Sequence, residues 1–144
     1  MASIALKIPG REQLDFSVEI DASGVIQKAR LTGVGNQAFL ADLKNYRKNL
    51  KGKLQELPLP NGNSPAELMI TEAILKLRGE WTPPYLEEEI CHCRNVPLAV
   101  VDAAIVAGAH TPAKVSAWTS ASTQCGTCRP DVEAYLRFRL RSGN

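Results

Sequence analysis

The residues with the clearest chemical potential are four cysteines, all within the last 54 of 144 residues. They stand as Cys91-His92-Cys93 and Cys125-Gly126-Thr127-Cys128, with Arg94 to Gln124 between the pairs. Two tight pairs without a singleton can offer four thiolates, two from each of two loops, to one inorganic centre. A 2Fe–2S cluster and a tetrahedral zinc both accept such a donor set. A dithiol redox role for Cys125 and Cys128 is a third reading, although no βαβ pattern precedes them.

Three details favour the cluster. C-x-C is tighter than the C-x2-C or longer spacings general in zinc ribbons and fingers. Two ferric ions, two sulfides and four thiolates carry a net charge of about −2, and reduction adds another electron. Both pairs lead toward expected helix starts, at Asn95–Pro97 and Arg129–Pro130, where free backbone N–H groups and the positive dipole end favour anions. Arg94 and Arg129 directly follow the pairs, and Gly126 lets backbone amides approach closely. His92 is read as a spacer, because four cysteines complete the site, and His110 as a structural residue in an interhelical turn.

The elements that must position these loops can be read from periodicity. Asn95 caps an expected helix from Val96 to about Ala107, with Pro97 in its first turn and Gly108 at its end. Thr111 caps a short helix with Pro112 in its first turn and Val115 and Trp118 facing inward. Ser120–Gly126 is a small polar loop. A last helix runs from about Arg129 to Leu140, with Val132, Tyr135, Leu136 and Leu140 as its apolar side. Arg137, Arg139 and Arg141 read first as a C-terminal basic group favoured by the helix dipole, with a docking patch for an acidic partner as the alternative.

The N-terminal half has a different grammar. Residues 3–8, 14–20 and 25–31 are expected strands; alternation in Phe16-Ser-Val-Glu-Ile20 suits a half-buried strand, and Asp21-Ala-Ser-Gly24 supplies turn chemistry. Gly33 and Gly35 break the pattern. Phe39, Leu40, Leu43, Tyr46 and Leu50 then recur at helical spacing over 37–50, before Gly52. Ser64, Pro65 and Glu67 form a capping box for a second helix that buries Ala66, Met69, Ile70, Ala73, Ile74 and Leu77 and stops at Gly79. Trp81, Pro83, Pro84 and three glutamates interrupt the periodicity at 80–89. The expected fold class is therefore α+β. A small antiparallel sheet with packed helices occupies 1–80, a linker 81–89, and a small all-helical metal-binding domain 90–144.

Composition narrows the function classes. The apolar share is 44% and the net charge only +2, too small an excess to expect nucleic acid. A basic run at Lys44, Arg47, Lys48, Lys51 and Lys53 reads first as a solvated helix face, with a docking patch for an acidic partner as the alternative. No signal peptide or bilayer-length apolar run is visible, so a cytoplasmic, membrane-free protein is expected. No phosphate loop, H-E-x-x-H or G-x-S-x-G occurs, so no catalytic residues are assigned and no enzyme is expected.

The run Cys91-His-Cys93, a helical pair, Gln124-Cys-Gly-Thr-Cys128 and a final helix resembles the bacterioferritin-associated-ferredoxin-like (BFD-like) 2Fe–2S domain over about residues 88–140. The same module occurs in the middle of NifU-type cluster-assembly proteins and in some reductases. The resemblance implies Cys91, Cys93, Cys125 and Cys128 as cluster ligands and a small helical unit holding a 2Fe–2S cluster close to its surface. It further implies electron transfer or iron–sulfur cluster assembly on a protein partner, redox or assembly, with a homodimer also allowed. Zinc is the alternative occupant, in a structural interaction module. Residues 14–52 resemble more weakly a U-type iron–sulfur scaffold domain, through Phe16–Ile20, Gly24–Leu31, Gly35-Asn36-Gln37-Ala38 and Lys51-Gly-Lys53. Asn36 stands where that family has its first cysteine, which implies a degenerate scaffold unable to build a cluster.

Overall fold

A computed structural model describes residues 2–8, 12–83, 89–91, 96–119 and 129–140, with the backbone alone at 89–91 and 129. The chain divides into two compact units, Met1–Trp81 and Thr82–Asn144. The class is α+β, an N-terminal three-stranded antiparallel sheet followed by five helices.

In the first unit, β1 (Ala2–Lys7), β2 (Gln13–Ile20) and β3 (Ile26–Val34) form a meander in the order β1-β2-β3. Ile4, Phe16 and Leu31 are cross-strand neighbours, as are Leu6, Leu14 and Gly33, so one face collects the apolar side chains. Leu14, Phe16 and Val18 are almost completely buried, while Gln13, Asp15 and Glu19 are exposed. Asp21 shapes the β2–β3 turn: its Oδ1 accepts from the amides of Ser23 and Val25, and Gly24 takes a φ of 82°.

The third strand runs beyond its expected end at Leu31. Gly33 does not break it; the missing side chain is what allows close packing there. A Cβ on Gly33 would lie 2.5 Å from the Gln13 carbonyl oxygen and 2.8 Å from Leu43 Cδ1. The first helix, α1 (Gln37–Arg47), then covers the sheet with Phe39, Leu43 and Tyr46 buried. It ends before Leu50, because the amides of Asn49 and Leu50 turn back onto Tyr46 and Arg47; Leu40 is 42% exposed.

The second helix, α2 (Pro65–Arg78), has the expected cap: Ser64 Oγ accepts from the Glu67 amide at 3.2 Å. Glu67 reaches past the cap residue, however, and accepts from the Gly62 amide at 2.9 Å. Burial on α2 is broader than one stripe and includes Leu68, Thr71, Glu72 and Leu75, while Leu77 is only partly buried. Two polar anchors fix the 58–78 region. Tyr46 Oη donates to the Pro58 carbonyl at 2.6 Å, and Arg78 donates to the Leu54 and Leu57 carbonyls at 3.0 and 2.5 Å. Burial pushes the Tyr46 phenol up to about 12, against a smaller opposing effect of the Arg78 charge.

The second unit contains β4 (Glu89–Cys91), β5 (Val96–Pro97), α3 (Leu98–Ala107), α4 (Pro112–Thr119) and α5 (Arg129–Leu140). Its core joins Val96, Val101, Ile105, Ala109, Val115, Val132, Tyr135 and Leu136. The expected helix start at Val96 is corrected: Val96 and Pro97 pair with β4, and Pro97 is the extended N-cap residue of α3 (φ −66°, ψ 148°). Trp118 is also corrected, being 54% exposed; Val115 is the only buried residue of the eight-residue α4. Among the described residues no single helix is long and apolar enough to cross a membrane.

Candidate metal centre

The first cysteine pair begins on a short antiparallel ladder. Cys91 is the last residue of β4 and pairs with Val96, and Glu89 pairs with Pro97. Antiparallel partners lie about 4.5–5.5 Å apart at Cα. The chain therefore returns to Val96 after only four intervening residues, and Cys93 falls within that stretch. Val96 is 5% exposed and belongs to the core of this unit, so the backbone at Cys91 is tied through one partner residue to packed side chains. Leu98 opens α3 two residues later.

The second pair leads directly into α5, whose first residue, Arg129, follows Cys128. Val132, one turn into this helix, is 1% exposed and packs in the same core as Val96, Val101 and Ile105. Each cysteine pair is thus joined in sequence to an element anchored in one hydrophobic cluster.

Three of the expected ligands, Cys93, Cys125 and Cys128, lie outside the described residues, as do His92, Arg94, Asn95 and the loop 120–126. Cys91 is described by its backbone alone. His110 lies in the turn between α3 and α4, where Thr111 caps α4 by accepting from the Lys114 amide at 3.2 Å. His110 Nε2 is buried without a hydrogen-bond partner among the described residues.

The chemistry of the donor set fits a 2Fe–2S cluster, which takes four thiolates and needs no further protein ligand. The same four thiolates would also satisfy a structural zinc. Among the described residues no group of three or more His, Cys, Asp or Glu side chains comes together.

An ion pair that sequence reading missed braces the helices connected to the cysteine loops. Arg139 of α5 donates from Nε and Nη2 to the two carboxylate oxygens of Asp102 on α3, at 2.7 and 2.9 Å. Arg139 is 4% exposed, so it is a buried bidentate partner rather than one of a solvated basic group. Arg137 is exposed, and Arg141 lies outside the described residues. A signal was present: Asp102 is the only charged residue in Leu98–Ala107.

Asn36 likewise has a structural role. Its side-chain Oδ1 accepts from the Phe39 amide at 2.9 Å and caps α1.

No curated protein and no solved structure matches this chain. Residues 89–137 match the family model described as BFD-like [2Fe-2S] binding domain, about a third of the chain, running from the first residue of β4 into α5. The C-terminal unit of this protein carries a BFD-like [2Fe-2S] binding domain.

Proposed function

We propose that the chain holds one 2Fe–2S cluster on Cys91, Cys93, Cys125 and Cys128 and serves a partner protein, in electron transfer or in iron–sulfur cluster assembly. The observation that carries this reading is the coincidence of the family match at 89–137 with both cysteine pairs, each joined to an element of one core. On this reading the protein has no substrate turnover of its own and works in the cytoplasm, where thiols stay reduced. The N-terminal unit has no cysteine, so it supplies no thiolate for building a second cluster.

The test is anaerobic reconstitution of the full chain with iron and sulfide, followed by iron and acid-labile sulfide analysis and a visible spectrum. About two irons and two sulfides per chain are expected, lost when any one of the four cysteines becomes serine. One tightly bound zinc, no sulfide and no redox response would replace the cluster by a structural zinc module. Retained dithiol activity in a Cys91→Ser, Cys93→Ser double variant would instead support a thiol oxidoreductase. Reversible one-electron reduction with the cluster retained supports an electron carrier; transfer of the cluster to an apo-acceptor supports an assembly role.

A further inference from the structure

The longest run of unbalanced charge lies far in sequence from the cysteines. Residues 28–53 contain seven Lys and Arg side chains and one carboxylate, Asp42, against a net charge of +2 for the entire chain. Asp42 is engaged elsewhere, accepting from Ser64 Oγ at 3.0 Å at the start of α2. Lys28 faces Glu19 across the sheet, so it is partly balanced. The other six, Arg30, Lys44, Arg47, Lys48, Lys51 and Lys53, are all exposed, and no carboxylate among the described residues lies within ion-pair distance of any of them.

The fold gathers these cations. Because the sheet order is β1-β2-β3, no strand among the described residues lies beside the outer edge of β3; the loop at 52–54 touches its beginning, through Ile26 to Gly52 and Leu54 to Gly24. Lys53 is bridged to Val25 at that point. Farther along, Arg47 Nε donates to the Leu31 carbonyl at 2.7 Å, which sets the end of α1 against the strand edge. Lys44, Arg47 and Lys48 share one side of the helix at i, i+3 and i+4 spacing. Between strand and helix runs an open groove of about 330 Å³, bordered by Ala29, Arg30, Leu31, Thr32, Arg47 and Leu50.

We propose that the outer edge of β3 and the C-terminal end of α1 form a docking surface for an acidic segment of a partner protein. The groove is a channel of side-chain size with cations on both walls and Leu50 as an apolar contact, which suits carboxylate side chains on a protein chain. Nucleic acid is disfavoured because no exposed aromatic ring lies among these cations to stack on a base, Phe39 and Tyr46 being buried. A second copy is disfavoured because two such surfaces repel, as charged edge strands do. The surface belongs to the N-terminal unit and goes beyond the proposed cluster function, holding whether or not a cluster is bound.

The test uses the full chain and a fluorescein-labelled synthetic peptide of Glu, Asp and Ser, read by fluorescence anisotropy at low and high salt. Binding should weaken steeply with salt. It should fall about tenfold or more in Arg30→Glu/Lys51→Glu and be unchanged in Lys114→Glu, an exposed cation of the other unit. Lys48→Ala/Lys51→Ala supplies the same readout with neutral side chains if the charge reversal disturbs folding. Equal weakening by Lys114→Glu would overturn the proposal, and so would tighter binding of single-stranded DNA or of anionic lipid vesicles than of the peptide. Cluster content is measured on the same samples, so loss of peptide binding with an intact cluster, or the reverse, separates this surface from the cluster site.

Discussion

Replacing Asp102 by Ala should loosen the C-terminal unit by breaking its ion pair with Arg139. The substitution removes the two Asp102 oxygens that accept from Arg139 Nε and Nη2 at 2.7 and 2.9 Å, while Arg139 itself is 4% exposed. Breaking a fully buried pair by removing one partner costs about 3–5 kcal/mol. The Asp102 side chain keeps 24% of its exposure, which places the cost at the low end, about 3 kcal/mol. A unit of this size has only roughly 3–9 kcal/mol of stability in total. Hydrogen exchange on the full chain reads the effect locally: amides of α3 and α5 should exchange roughly 150-fold faster, with those of α1 and α2 unchanged. The double variant Asp102→Leu/Arg139→Met should recover most of the loss, since an apolar pair of similar volume carries no desolvation cost. Exchange within about twofold of the parent protein in Asp102→Ala would refute the reasoning, as would equal loosening in the double variant.

Gly33→Ala should destabilise the N-terminal unit by about 1–3 kcal/mol in urea unfolding, because its Cβ meets the Gln13 carbonyl oxygen at 2.5 Å and backbone must move. Ser64→Ala should cost about 1 kcal/mol by the same measurement, through loss of the α2 cap. Tyr46, raised to about 12 from 10.0, stays protonated in the folded protein where the unfolded chain ionises; its stabilisation is complete below pH 10 and is lost as pH rises from 10 to 12. Tyr46→Phe should flatten that part of the stability–pH profile, and tyrosinate absorbance should show one late-titrating phenol. Removing metal with a chelator should accelerate exchange at Val96 and Val132 and leave β2 unchanged, since ligation free energy is folding free energy.

Sequence reading worked best where local chemistry decides the structure. The Ser64 cap and Gly79 stop bound α2 as expected, with Gly79 in the left-handed region at φ 74°. The Asp21 turn, Thr111 cap and last helix also form where propensity and capping place them. It failed where a tertiary partner overrides local preference. Gly33 looked like a strand breaker but is the point at which Leu43 and Phe39 press on the sheet. Val96 and Pro97 looked like a first helical turn, yet pairing with β4 holds them extended. Arg139 looked solvated because its carboxylate lies 37 residues away. For the candidate metal centre, the cysteine spacing belongs to the sequence alone and three of the four cysteines lie outside the described residues; what the fold adds is the common core that holds Val96 and Val132.

The meander order of the N-terminal sheet has a consequence for synthesis. Each strand pairs with its immediate predecessor, and the last helix of that unit ends at Arg78, before any cysteine in the chain. At about 5–20 residues per second, the ribosome needs roughly 2–7 s to go from Cys91 to Cys128. During that interval the front half already has every residue of its sheet and helices, while the first two thiols await the others. If the four cysteines hold the proposed cluster, iron scarcity would leave their thiols unligated in a chain whose N-terminal sheet and helices are already synthesised.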